Sequence, residues 1–393
     1  MAQANRHLQD LVTPSLYRNI TIPGKEGPDI ELQQAGARLI RTLSERPSLA
    51  VLVREIENAP SILPIGPLET IWAEGANTSE PDEESSGRGA HTRTQLCRVP
   101  LDVMRSCVNL QSLSVVEAGS YLYFVDQCQW LNFLLDPSTR LKSLKFHVNT
   151  EGQVNEGMWN YFFGSILDIQ VSLEHLECPI SNRKAGFEEG HMETWVPNLR
   201  VLGGDHLGPF RALLSNKRSI EKLVVHSIPM EDISSLFAER LEAVDTVTEI
   251  IYWEPEEDQV VDFPALFGTM PSLRTFRGEM WLDFSTEDDF LQELLKAFAL
   301  TPHLTEFEIE DSSYPLADFF DVAQVDISAG IALEEADFLR DQAAWLRRYS
   351  KICPELRSFR FPGGKRWARI SDQWILQARF SRNNGGPLVL WGL

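Results

Sequence analysis

A short phrase of apolar and polar positions recurs along this chain. An apolar residue is followed by two mostly polar residues and a second apolar residue, and usually by a third two places on. It reads Leu110, Leu113, Val115; Leu141, Leu144, Phe146; Leu173, Leu176, Cys178; and Leu199, Leu202. It continues as Ile220, Leu223, Val225; Val247, Ile250, Tyr252; Leu273, Phe276; Leu304, Phe307, Ile309; and Leu356, Phe359, Phe361, nine copies in all. The steps between first positions are 31, 32, 26, 21, 27, 26, 31 and 52 residues. Alternation over the second and third positions predicts short strands. Apolar residues at helical spacing with carboxylates in the first turn predict helices between them, at 232–241, 288–298 and 333–352. Strand and helix in turn predict a parallel sheet, because each helix is a crossover.

Several copies open on the same punctuation, at Pro197, Pro271, Pro302 and Pro354. Proline lacks a donor and clashes with the preceding turn, so it is expected to end the helix before each strand. Ahead of the repeats, 2–17 has helix-like content ending near Thr13-Pro14, and 31–43 carries helical spacing. The run 48–53 reads as a first, degenerate strand. The stretch 75–94 has almost no apolar residues, so it is expected to be disordered.

A repeated unit of this size implies an array, in which each unit hides its apolar face only against its neighbours. The expected fold is α/β, a leucine-rich-repeat-like solenoid with an inner parallel sheet of about eight to ten strands and outer helices. Leu113, Leu144, Leu176, Leu202, Leu223, Ile250, Phe276, Phe307 and Phe359 should form its buried ladder. The units are longer and less even than regular leucine-rich repeats, and lack the Asn or Cys that closes an asparagine ladder.

Net charge is −21 over 393 residues, which argues against nucleic acid as a partner, since phosphate binding needs a basic footprint. No apolar run has the length of a membrane span, and no signal-peptide core is present at the N-terminus. The five cysteines, at 97, 107, 128, 178 and 353, are scattered and read as buried thiols in a reducing compartment, cytoplasm or nucleus. Asn77-Thr-Ser79 matches the glycosylation sequon but, without a secretory signal, is expected to go unused.

Motifs for chemistry are sparse. His175 and Cys178 form an H-x-x-C with His191 and His206 downstream. Three-residue spacing on a strand sends the pair to opposite faces, which disfavours a shared metal. Gly203-Gly-Asp-His-Leu-Gly208 is not a phosphate-loop pattern and reads as a turn. The acidic groups 82–84, 256–258 and 286–289 read as solvated loop or helix-start charges. No catalytic or cofactor-binding set stands out, so a non-enzyme without cofactor or metal is expected.

If the second and third apolar positions point into the core, the residues between and after them line the inner face of the solenoid. Those are Lys145 and His147, Lys222 and His226, Ile251 and Trp253, Arg277 and Glu279, then Glu306, Glu308 and Glu310. Trp and Arg are typical interface anchors, so this face is the candidate protein-binding surface. An apolar run such as Ile250-Ile-Tyr-Trp253 is also compatible with burial on both faces. The glutamates at 306, 308 and 310 read as a solvated edge near the end of the sheet.

Asn5-Arg-His-Leu8-Gln-Asp-Leu11-Val-Thr-Pro14-Ser-Leu16-Tyr17-Arg-Asn-Ile20 resembles the end of an F-box and its exit strand. The rest resembles the irregular leucine-rich-repeat domains of the large fungal F-box families, and Cys353 through Trp367 is similar to their closing repeat. The resemblance divides the chain into an F-box remnant at 1–22, a cap at 23–74, a loop at 75–95 and the repeat domain at 96–393. It implies a non-catalytic substrate-recognition subunit of an SCF-type cullin–RING ubiquitin ligase. A freestanding scaffold of the same fold is the alternative. The family's F-box opens on a Leu-Pro-x-Glu helix, which is missing ahead of Asn5 here. A Skp-type adaptor is therefore expected to bind only where that half is present.

Overall fold

The computed structural model describes residues 12–21, 30–60, 62–65, 95–98, 101–117, 129–148, 164–178, 195–205, 207–214, 218–253, 262–280, 287–311, 333–361, 366–377 and 391–392. The chain divides into two units, Met1–Cys178 and Pro179–Leu393. The stretch 75–94 lies outside the described residues.

The first unit carries strands β1 (Asn19–Thr21), β2 (Glu55–Pro60), β3 (Ile62–Ile65), β4 (Gln95–Arg98), β5 (Ser112–Glu117), β6 (Ser143–Val148) and β7 (His175–Glu177). β1, β2, β5, β6 and β7 pair in that order, all parallel, while β3 and β4 form a separate antiparallel pair. Helices Ile30–Glu45, Pro47–Ala50 and Leu101–Ser106, a 3-10 helix Gln129–Leu135, and a helical turn at 164–169 fall between them.

Two expectations fail here. The run 48–53 is not a strand. Pro47 starts a short helix to Ala50, and the first repeat strand is β2. Proline's fixed φ is preset for the opening position of a helix, and a short apolar run carries no period to say otherwise. The N-terminal helix does not end at Thr13-Pro14 either, but continues through 12–18. Proline's fixed φ of about −65° is itself a helical value, so Pro14 alone does not stop the helix.

The second unit carries β8 (Val201–Gly204), β9 (Lys222–His226), β10 (Glu249–Trp253), β11 (Thr275–Met280), β12 (Glu306–Asp311) and β13 (Ser358–Arg360), paired in order and parallel. Three antiparallel strands then follow: β14 (Arg366–Ile370), β15 (Gln373–Gln377) and β16 (Trp391–Gly392). This closing meander departs from the expectation of parallel strands throughout. Its first turn is two residues long, Ser371 and Asp372, both at positive φ of 48° and 66°. Such a turn matches strand twist and brings the chain straight back, leaving no room for a crossover helix. Helices Leu207–Leu213, Met230–Glu239, Leu241–Val244, Phe263–Gly268, Glu287–Leu300 and Leu333–Ile352 occupy the intervals between the parallel strands.

The repeat phrase acts through two recurring bonds. Its first apolar residue closes a turn, with the amide of Leu110 donating to Cys107, Leu173 to Gln170, Leu199 to Val196, Leu273 to Met270, Leu304 to Thr301 and Leu356 to Cys353, at 2.9–3.1 Å. Pro197, Pro271, Pro302 and Pro354 each take the second position of this turn, where their fixed φ is favoured. The next two amides then donate together to one carbonyl of the preceding unit. Lys142 and Ser143 share Gln111, Thr248 and Glu249 share Glu221, and Thr305 and Glu306 share Arg274.

The second apolar positions meet side by side. Leu113 pairs with Leu144 and Leu144 with Leu176; in the second unit Leu202, Leu223, Ile250, Phe276, Phe307 and Phe359 are consecutive partners. All nine are fully buried, as expected. From β11 to β13 the row turns aromatic. Phe276 stacks on Phe307 at 5.3 Å between centroids, and Phe307 meets Phe359 at 5.1 Å. Phe263 and Phe298 close on this row edge-on from the helices at 5.7 Å and 5.2 Å. The helices therefore cover this face of the sheet. Alternation sends Lys222, Glu249, Arg277, Glu306 and Trp253 to the other face.

Candidate functional site

On β10, Ile250 and Tyr252 are fully buried, while Ile251 is half-buried and Trp253 is 40% exposed. This settles the register of the Ile250–Trp253 run in favour of an outward Trp253. The end of the strand is tied twice to the segment that leaves β9. The Tyr252 hydroxyl donates to the carbonyl of Ile228, and the Ser227 amide donates to the carbonyl of Trp253 at 2.7 Å. Ser227 reaches that position through a positive φ of 53°.

The parallel register places one outward residue of each strand beside the next. Lys222 lies against Glu249, with Nζ 2.8 Å from Oε1. Val224, Ile251, Arg277, Glu308 and Arg360 form the following row. His226, Trp253, Glu279 and Glu310 form the row after that. The side chain of Glu310 lies outside the described residues, as does that of His147 in the first unit.

Glu306 and Glu308 are not a solvated edge. β12 sits between β11 and β13, so both carboxylates are flanked on either side. Their side chains are only 19% and 14% exposed. Arg277 donates to Glu306 at 3.1 Å and lies 3.8 Å from Glu308. Arg366, from the antiparallel β14, reaches both at 2.8 Å. Burial pushes the Glu308 carboxyl above the usual carboxylate range, opposed by the charge of Arg366 and reinforced by Glu306. Arg277 loses water to the sheet, but the bond and charge of Glu306 outweigh that and hold its guanidinium above its ordinary value.

In the first unit Lys145 pairs with Glu177 at 3.1 Å, and Glu177 also meets His175 Nε2 at 2.6 Å from the same strand. Cys178 is buried on the opposite side from this pair. Among the described residues no group of His, Cys, Asp and Glu is placed to hold a metal ion. Cys107, Cys178 and Cys353 are buried free thiols.

Sequence reasoning missed Glu177, Glu249 and Arg366. The first two have a signal once the repeats are aligned, because Lys145 and Lys222 each face a carboxylate at the equivalent place of the next unit. Arg366 has none, since it follows the last phrase and arrives through a reversed strand.

No protein-family model matches this chain, and no curated protein matches it. Among the described residues no helix is long and apolar enough to cross a membrane.

Proposed function

We propose that this protein is a non-catalytic protein-interaction module whose partner docks on the sheet face opposite the helices. The supporting observation is Trp253, large, rigid and 40% exposed, on a face that also carries the ion pairs Lys222–Glu249 and Arg277–Glu306. Aromatic anchors surrounded by polar groups are the usual centre of a protein interface. The repeated strand–helix units fit the leucine-rich-repeat-like solenoid expected from the phrase, and such arrays present extended binding surfaces.

Within this reading the protein serves as the substrate-recognition subunit of an SCF-type ubiquitin ligase. The F-box resemblance at 5–20 supports it, and the helix at 12–18 leading into β1 is compatible with it. Co-purification with a Skp-type adaptor tests it, using residues 1–393 and the same residues preceded by a Leu-Pro-x-Glu helix. Binding by the extended chain and its absence from the shorter one is the expected result. Failure of both leaves the freestanding scaffold as the better reading.

A further inference from the structure

We infer that Trp253 and Glu279 form a receptor for a cationic side chain, so that the partner presents an arginine- or lysine-bearing segment to the ends of β10 and β11. This rests on the face being an interaction surface and adds the chemistry of what it takes. The two residues are direct partners on neighbouring parallel strands and lie on the same face. Neighbouring strands are about 4.8 Å apart, so one cationic group fits over the indole within reach of the carboxylate.

What distinguishes this pair is how the surrounding charges are already committed. Lys222 is held by Glu249, and Arg277 and Arg366 are held by Glu306 and Glu308. Among the described residues Glu279 makes no ion pair or hydrogen bond, and the Trp253 ring makes no aromatic stack, cation–π contact or hydrogen bond. An indole face attracts cations through its quadrupole, and an adjacent carboxylate supplies the charge. The chain's net charge of −21 favours approach by a basic segment and disfavours an acidic one. A purely apolar partner would leave Glu279 covered and unpaired, which is unfavourable.

The probe is a fluorescent hexa-arginine peptide, followed by anisotropy at physiological salt, with a hexa-glutamine peptide as blank. Trp253→Ala should weaken binding about three- to tenfold and Trp253→Phe by less, in the order of their ring quadrupoles. Glu279→Gln should weaken it about two- to fivefold. Glu231→Gln removes the same charge from an exposed position on helix Met230–Glu239 and should leave binding unchanged. Full affinity in Trp253→Ala overturns the inference, as does equal loss in Glu231→Gln and Glu279→Gln, which marks non-specific attraction to an acidic protein. Should Trp253→Ala fold poorly, Trp253→Phe and Glu279→Gln carry the test. The adaptor experiment is independent of this one. Peptide binding without adaptor binding removes the ligase assignment alone, and the converse removes the cationic receptor alone.

Discussion

The hydroxyl of Tyr252 donates to the carbonyl of Ile228, so the residue next to Trp253 is tied to the chain leaving the neighbouring strand. Tyr252 is fully buried and Trp253 is 40% exposed, although the two are adjacent in sequence and similar in size. Their substitutions should therefore part company in thermal unfolding. Tyr252→Ala should cost about 3–5 kcal/mol, as for other large buried aromatics. Tyr252→Phe should cost about 1–3 kcal/mol by orphaning a buried carbonyl. Trp253→Ala, which removes a partly exposed ring and orphans no buried polar group, should cost clearly less, about 1–2 kcal/mol. A larger loss for Trp253→Ala than for Tyr252→Ala would reverse the assignment of faces.

Gln170 is a buried polar residue that joins two successive repeats within the first unit. Its Nε2 donates to the Leu134 carbonyl at 2.7 Å, and its Oε1 accepts from the Leu141 amide at 3.2 Å. Gln170→Leu leaves one donor and one acceptor buried without partners, so urea unfolding should show a loss of about 2–4 kcal/mol. Unchanged stability would mean that water replaces both bonds.

Glu308 has a raised carboxyl pKa, so the folded protein binds its proton more readily than the unfolded chain does. Its contribution to stability therefore falls as pH rises from the usual carboxylate range through the raised value. Glu308→Gln has no such proton to lose. Relative to the unsubstituted protein, its urea midpoint should improve steadily as pH is raised from 4 to 7, a range on the order of the carboxylate titration. A relative midpoint that worsens over that range would contradict the direction of the shift.

Burial pushes the Cys107 thiol up to about 12 and the Cys353 thiol up to about 11. The Cys353 thiol also lies 3.2 Å from the carbonyl of Leu304, which closes the corresponding turn of the preceding repeat. Thiolates are the reactive form, so both should resist alkylation in the folded protein at pH 8. Mass mapping after iodoacetamide treatment in rising urea should show both sites labelled only across the unfolding transition. Labelling of either at zero urea would place it at the surface.

The repeat ladder was legible in the sequence because the same position recurs in every unit, and repetition compensates for the weakness of any single short strand. The outward row was legible for the same reason: with Ile250 and Tyr252 inside, Lys222, Trp253 and Arg277 follow by alternation. What escaped were features set by contacts between distant segments. The burial of Glu308 depends on Arg366, 58 residues further along, reaching back from a reversed strand. Arg218 is likewise a charged residue in the core, 3% exposed, donating to the carbonyls of Trp195 and Leu213. No local pattern announces a buried arginine. The run 48–53 failed for a different reason, since four or five apolar residues fit a helix and a strand equally well.

Within each of the two compact units, the shared-carbonyl link between successive phrases is the same whether 26 or 52 residues separate them. Strand spacing there is set by that link and the backbone ladder it opens, not by the length of the intervening segment. The two sides of the sheet are thus under different rules. On the helical side, segments are free to lengthen or shorten without disturbing their neighbours. On the other side, side chains stay like marks on a ruler whose interval no insertion between phrases can stretch. A lineage of such proteins can therefore change in length between phrases while the spacing of its outward side chains stays fixed.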